Sequence, residues 1–291
     1  MKITPQAQPK INPYFILALG VIAVSFSAFL GRGTDAPPAI ISFYRLFITC
    51  LLLTPLAIKE RAGFRRLTPR DLCLCSLSGL FLSVHFVFWF ASLRWTSVSS
   101  AALLVNIHPL VVVSASWLLF GEKVRPAALP WAGVALIGIV LMSWGDLRLG
   151  GTAFAGNLFA AGGGLMLAGY YLLGRQIRPR VNISIYSFLV YSASTILLLI
   201  YNVAAANPFV GYAAADWLIF SALAMVPTLL GHTLLNWALK YLPAGAISVS
   251  VLGEPVIATA LAIPLFREVP GPLQLLGGLI VIGSIWRFLS P

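Results

Sequence analysis

Long apolar runs alternate with short polar punctuation along the whole chain. Runs almost free of charge cover about residues 13–31, 38–58, 71–92, 97–119, 126–145, 152–174, 183–203, 215–239, 243–266 and 272–290, bounded by Pro, Gly and charged residues. Each is close to the roughly 20 residues that a helix rising about 1.5 Å per residue needs to cross a hydrocarbon core of about 30 Å. The pattern therefore predicts ten transmembrane helices, called spans 1 to 10 below. Span 1 has the length of a secretory signal, but nine more spans follow and no A-x-A cleavage site ends it, so it reads as a first span.

Composition agrees with this pattern. The 291 residues are 59% hydrophobic and 9% charged, against roughly 45–50% apolar and about 25% charged in an average soluble domain. The mean hydropathy of +0.94 leaves too little polar surface to cover a water-soluble globule. Ten spans of about 20 residues use roughly 200 of the 291 positions, which leaves short loops and no room for an attached soluble domain. The expected class is an all-α integral membrane protein, with residues 1–12 as an N-terminal tail.

The net charge of +11 would suggest nucleic acid if the basic residues formed a patch. They sort instead by loop. Assigning alternate loops to opposite sides places 14 Lys and Arg with the two termini: Lys2, Lys10, the five from Lys59 to Arg70, Lys123, Arg125, Arg175, Arg178, Arg180, Lys240 and Arg287. Only Arg32, Arg94, Arg148 and Arg267, which is 4, fall on the other side, and Arg45 lies within a span. Cytoplasmic loops carry the excess of Lys and Arg, so both termini are expected in the cytoplasm, with the chain in a bacterial-type inner (plasma) membrane and no nucleic-acid partner. Cys50, Cys73 and Cys75 sit in or beside apolar runs, at spacings that fit neither a redox nor a zinc pair, and read as small core hydrophobes.

The two halves repeat. An offset of 146 pairs Leu93-Arg94-Trp95 with Leu239-Lys240-Tyr241, Pro109 with Pro255, Glu122 with Glu268, and Pro126 with Pro272. An offset of 143 pairs Leu30-Gly31-Arg32 with Leu173-Gly174-Arg175, and Gly133-x4-Gly138 recurs as Gly278-x4-Gly283. Five spans per repeat is odd, so the expected repeats, 13–145 and 152–290, enter the membrane from opposite sides. Inverted halves around a midplane site are a signature of secondary transporters, because exchanging the conformations of the halves moves the opening from one side to the other.

Ten spans in two five-helix repeats, with Pro37-Pro38 leading to Arg45, resemble the EamA-type branch of the drug/metabolite transporter superfamily. So do the segments from Asn106-Ile107-His108-Pro109 to Gly121-Glu122-Lys123 and from Gly253-Glu254-Pro255 to Arg267-Glu268. Within that branch the chain most resembles the YddG-type amino-acid exporters. The resemblance implies export of small molecules by alternating access, without ATP or a cofactor. Two positions depart from repeat equivalence: His108 stands where the second repeat has Glu254, and Phe188 occupies the repeat position of Arg45.

An ionisable side chain at a span centre costs about 2.5–3.5 kcal/mol on insertion scales, so the few present need a reason. Glu254 and His108 exchange under the 146 offset, and each precedes a proline, Pro255 or Pro109, that removes a backbone donor and favours local unwinding. They are expected to face one midplane cavity and to meet the ammonium and carboxylate ends of an amino acid. A protonated Glu254 bonded within the bundle and a His108 packed at a kink are the alternatives. His85 with Trp89 one turn later, and His232 with Asn236, form i,i+4 pairs on spans 3 and 8, and Phe86 is the repeat mate of His232. The expected substrate-binding set is His85, Trp89, Asn106, His108, Tyr170, His232 and Glu254. For the histidines, interhelical hydrogen bonds, worth about 0.6 kcal/mol in membrane bundles, are the alternative. Arg45, Pro109, Pro255 and Gly163 are expected to be structural or gating, with Arg45 as a buried ion pair or carbonyl clamp, a hold on a substrate carboxylate or snorkelling to the outer surface being its alternatives, and Gly162-Gly163-Gly164 as a helix-packing surface, with a cavity wall as the alternative.

Other classes lack their motifs. There is no G-x-x-x-x-G-K-[ST] loop for an ATP-driven pump, no H-E-x-x-H and no Cys/His cluster for a metal, and Glu254 is the sole acidic residue at span depth, against the pair an aspartyl intramembrane enzyme needs. The chain is thus expected to be no enzyme and to need no cofactor. Phosphorylated cargo would ask for several Lys or Arg in the pocket. With one deep carboxylate and one deep guanidinium, a zwitterionic or neutral small molecule suits better, amino acids first. A multidrug or other metabolite exporter, or a channel, remains the alternative. The sequence leaves oligomeric state open, and a monomer would suffice.

Overall fold

The computed structural model describes residues 11–122, 125–144, 151–266 and 271–290, without the side chains of Ser99, Ser143 and 262–266. Lys2, Lys10, Lys123, Arg148, Arg267 and Glu268, used in the loop count and the repeat alignment, lie outside the described residues.

Among the described residues nine helical stretches of 18 to 27 residues are long and apolar enough to cross a membrane, and a tenth, Leu129–Met142, is shorter. In chain order the elements are α1 (Pro13–Val24), α2 (Ser27–Arg32), α3 (Pro38–Lys59), α4 (Pro69–Trp95), α5 (Val98–Val105), α6 (His108–Phe120) and α7 (Leu129–Ser143). They continue as α8 (Thr152–Ile177), α9 (Ile183–Ala204), α10 (Ala214–Leu223), a π-helical segment (Ala224–His232), α11 (Thr233–Ala238), α12 (Ala244–Val251), α13 (Glu254–Phe266) and α14 (Pro272–Leu289). Proline at the first turn opens α1, α3, α4, α6, α7 and α14, where its missing N–H would have no partner anyway. Thr68 caps α4 reciprocally with Asp71.

Four spans are interrupted. Span 1 breaks at Ser25-Phe26, span 4 at Asn106-Ile107 and span 9 at Leu252-Gly253, while span 8 passes through the π-segment that holds Pro227. The breaks in spans 4 and 9 fall 146 positions apart, at the offset read from the sequence. Spans 6 and 3, the repeat partners of spans 1 and 8, run uninterrupted as α8 and α4.

Alpha-helices α4 and α8 pack side by side, as do α3 with α9, α1 with the π-segment and α11, and α6 with α12. Helices α7 and α14 form a separate contact, with its own cluster around Ala135, Ile139 and Val281. There Gly138 and Gly277 meet backbone to backbone: a Cβ on Gly138 would lie 2.8 Å from Gly277 O, and one on Gly277 would lie 2.5 Å from Gly138 O. The conspicuous sequence pairs Gly133 and Gly283 touch nothing within 4 Å, so the close approach belongs to neighbours of the motif rather than its full length. Cys73 is exposed, which corrects the expectation of three core cysteines; Cys50 and Cys75 are buried.

On the face that carries the basic loops, Glu122 ties four helix ends together. One oxygen pairs with Arg175 Nε, the other accepts from Ala244 N at 3.1 Å, and Arg175 also donates to Leu239 O at 2.9 Å. Arg178, buried beside them, donates to Asn236 O at 2.8 Å and to Val181 O. On the opposite face Arg94 donates to Ala36 O, and Thr96 donates to Asn157 Oδ1 at 3.0 Å.

Candidate functional site

The interruptions converge on one place. A cavity of about 30 Å³ is lined by Val24 and Ser27 at the break of span 1, Asn106 and His108 at that of span 4, Val251 and Glu254 at that of span 9, and His232 at the end of the π-segment. The walls between are His85, Phe86 and Trp89 from span 3 and Leu167 and Tyr171 from span 6. Spans 1, 3, 4, 6, 8 and 9 thus contribute, while 5 and 10 stand outside. A volume near 30 Å³ holds about two waters, so the walls must part to admit a larger solute. Both faces are crossed by the contacts described above.

Proline explains the breaks in spans 4 and 9. Pro109 and Pro255 have no N–H, so the carbonyls of Val105 and Val251 lose their i+4 donors. In span 4 the vacancy is filled from the side chain, because His108 Nδ1 donates to Val105 O at 3.1 Å. In span 9 the residue at that position is Glu254, for which neither a hydrogen bond nor an ion pair is formed among the described residues. Pro227 has the same effect in span 8: Leu223 O loses its i+4 amide and accepts Thr228 Oγ1 at 2.7 Å, and the chain widens into π geometry.

Six of the seven residues expected to bind substrate line the cavity: His85, Trp89, Asn106, His108, His232 and Glu254. Tyr170 does not. Its hydroxyl is held by Asn236 Nδ2, and the neighbouring Tyr171 takes the wall position, because one residue of helix rotates a side chain by about 100°. Gly163 O accepts from His85 Nδ1 at 2.9 Å, which fixes that ring. The Gly triplet packs: a Cβ on Gly164 would sit 2.5 Å from Val105 O. Repeat mates Phe86 and His232 meet edge to face across the cavity, with centroids 5.2 Å apart.

Arg45 departs from the expected ion pair or carbonyl clamp. It is fully buried, and among the described residues it has no salt bridge; Nε donates to Thr228 Oγ1 at 2.6 Å and Nη1 to Ser27 Oγ at 3.0 Å. Its guanidinium lies 3.8 Å from the Phe86 ring centroid, a cation–π contact. Arg45 therefore stands directly behind two wall residues, Ser27 and Phe86. Sequence reasoning left out Ser27, Phe86, Tyr171 and Thr228 as site or supporting residues. Only Pro227, a proline inside a long run, signalled where Thr228 would matter.

A larger groove of about 540 Å³ lies elsewhere, between Pro38, Leu80, Val84, Phe88, Leu197 and Tyr201, on the face of span 3 opposite His85 and Trp89. Its lining is mostly apolar and partly exposed. The small cavity instead gathers converging polar groups at broken helices.

A bundle of apolar helices, broken at mid-span around a polar cavity, is the architecture of a multi-pass membrane transporter. The chain belongs to the EamA-like transporter family, whose profile matches residues 12–144 and again 154–289. It is similar to an uncharacterized transporter of Archaeoglobus fulgidus, 24% identical over 277 residues, 94% of this chain and 95% of that one. It is also similar to the aromatic amino acid exporter YddG of Ancylobacter novellus, 27% identical over 216 residues, 72% of each chain. A solved crystal structure superposes with a TM-score of 0.80 at 20% identity, over 94% of this chain and 95% of the other, and shares the fold. The protein is thus a transporter of small molecules and not an enzyme.

Proposed function

We propose that this protein exports amino acids across the plasma membrane by alternating access, with both termini in the cytoplasm. The observation that carries the reading is the pair of helix breaks at 106–107 and 252–253, which put His108 and Glu254 at equivalent positions of the repeats 13–145 and 152–290 on one cavity wall. In inverted repeats such a pair is related by the pseudo-twofold axis and flanks it, so equivalent positions face the solute from whichever side it enters. The substrate set is His85, Trp89, Asn106, His108, His232 and Glu254, with Tyr171 in place of Tyr170, and Arg45, Gly163 and the two prolines support it.

Zwitterionic cargo follows from the scarcity of charge. One carboxylate lines the cavity and one guanidinium stands behind it, a balance that suits a solute with no net charge and leaves the charge of a phosphate unneutralised. Phe86, Trp89 and Tyr171 favour apolar or aromatic side chains. The likeness to a named aromatic amino acid exporter supports the same cargo.

The test is uptake of labelled amino acids into proteoliposomes, beside a phosphorylated metabolite and a cationic dye, with and without a pH gradient. Saturable uptake of several neutral amino acids is expected, slowed about tenfold by Glu254→Gln or His85→Ala through loss of a hydrogen bond to a charged group. Uptake of the dye or the phosphate alone would select another cargo. Current without saturation would replace the carrier with a channel.

A further inference from the structure

The side chains that line the cavity at the helix breaks are sorted by hydrogen-bonding sense. Asn106 is 1% exposed and His108 0%. Asn106 Nδ2 donates to Ala102 O at 2.7 Å; a carbonyl only accepts, so this fixes the amide orientation and leaves Oδ1, which has no partner, as the free end. The same logic fixes His108. Its Nδ1 must carry the proton given to Val105 O, so in the neutral ring the unpartnered Nε2 is an acceptor. The Glu254 carboxylate faces the same cavity from the equivalent break. The wall made by spans 4 and 9 therefore offers three acceptors from three neighbouring side chains.

The break of span 1 has the other sense, while His85 on span 3, whose Nδ1 donates to Gly163 O, keeps an acceptor Nε2. Ser27 Oγ accepts from Arg45 Nη1, which leaves the serine proton without an acceptor among the described residues and polarised outward by the guanidinium behind it. Arg45 Nη2, buried beside this contact, has no partner either. Helix dipoles do not reverse the assignment. Each break in spans 4 and 9 brings the C-terminal end of one helix and the N-terminal end of the next to the same point, so their partial charges oppose and the side chains decide.

From this sorting we infer that the cavity is an oriented site: a primary ammonium group is held by Asn106 Oδ1, His108 Nε2 and Glu254, and a carboxylate by the Ser27 hydroxyl backed by Arg45. The inference rests on the zwitterion reading above and sharpens it, because it moves His108 from the carboxylate end to the ammonium end. It makes Asn106 a specificity-determining residue for the amine and Ser27 one for the acid.

The test separates the two ends by binding rather than transport. Calorimetric titration of the purified protein in detergent uses phenylalanine, phenethylamine, which lacks the carboxylate, and 3-phenylpropionate, which lacks the amine. Phenylalanine is expected to bind tightest to the unmodified protein. Asn106→Leu should weaken phenethylamine by about tenfold or more, the cost of losing a hydrogen bond to a charged group, and leave phenylpropionate unchanged; Asn106→Asp, which keeps an acceptor oxygen, should restore the amine. Ser27→Ala should do the converse, weakening the acid alone. Equal losses of both analogues in either variant, or the opposite pairing, would overturn the assignment, as would absence of amine binding to the unmodified protein. If the pairing holds but proteoliposomes carry no amino acid, the transport reading fails while the oriented site stands.

Discussion

Arg45 Nε donates to Thr228 Oγ1 at 2.6 Å, and Thr228 Oγ1 in turn donates to Leu223 O at 2.7 Å, the carbonyl that Pro227 deprives of its amide. A charged side chain on span 2 thereby stabilises a widened turn on span 8. Thr49, one turn after Arg45, adds a weaker tie: its hydroxyl donates to Arg45 O at 2.7 Å and shares the proton with Ala224 O at 3.1 Å. The irregular segment next to the cavity is thus held from outside itself. Thr228→Val keeps the shape but leaves Arg45 Nε unpaired and takes the side-chain bond from Leu223 O. It should cost about 1–3 kcal/mol, the penalty for unsatisfied buried groups, seen as a fall of several degrees in the melting temperature of detergent-purified protein. An unchanged melting temperature would mean that other groups hold the π-segment.

The prolines make a sharper contrast. Pro255→Ala supplies an N–H to Val251 O, the carbonyl without its i+4 donor, and should straighten span 9, raising thermal stability while slowing transport several-fold. Pro109→Ala should do less, because His108 already caps the equivalent carbonyl of Val105. Melting curves and uptake rates of the two variants, measured side by side, check the ranking.

The contact between α7 and α14 tolerates no side chain at its centre. Gly277→Ala would set a methyl group 2.5 Å from Gly138 O, and separating the helices should cost about 1–3 kcal/mol as for other overpacked sites. Gly133→Ala and Gly283→Ala meet open space and should be neutral or stabilising by up to about 1 kcal/mol through helix propensity. Thermal unfolding of the three variants distinguishes packing from motif.

The Glu122 clasp predicts an accessibility change. Glu122→Gln weakens the pair with Arg175 and the bond to Ala244 N, so the ends of α6, α8, α11 and α12 should separate more often. In a background without Cys50, Cys73 and Cys75, a cysteine placed at Leu167 on the cavity wall should react several-fold faster with a membrane-impermeant thiol reagent applied to the basic face. Equal rates would assign the closure of that face to apolar packing alone.

Much of this protein could be read from its sequence because membrane spans are decided locally. Lipid accepts only segments that satisfy their own backbone and present apolar side chains, so length and hydropathy located the spans to within a few residues. Span 5 came out shorter than the 126–145 expected, as α7 covers Leu129–Ser143. The paired breaks were also foreseeable, since a proline acts on its own helix, and the residues just before Pro109 and Pro255 duly sit at interruptions.

What no local rule could supply was rotation about a helix axis and partners from distant spans. One residue separates Tyr170, tied to Asn236, from Tyr171 on the cavity wall, and the periodicity of a helix apolar on every side does not choose between them. Arg45 was visible as an anomaly, but its partners, Ser27 and Thr228, lie 18 and 183 positions away. The direction in which Asn106 and His108 offer their free atoms depends on carbonyls exposed by the breaks themselves. Sequence determined that a few polar groups must lie inside the spans; only the tertiary structure decided which of them are satisfied by distant partners and which keep an unpartnered atom, because those partners come from other helices.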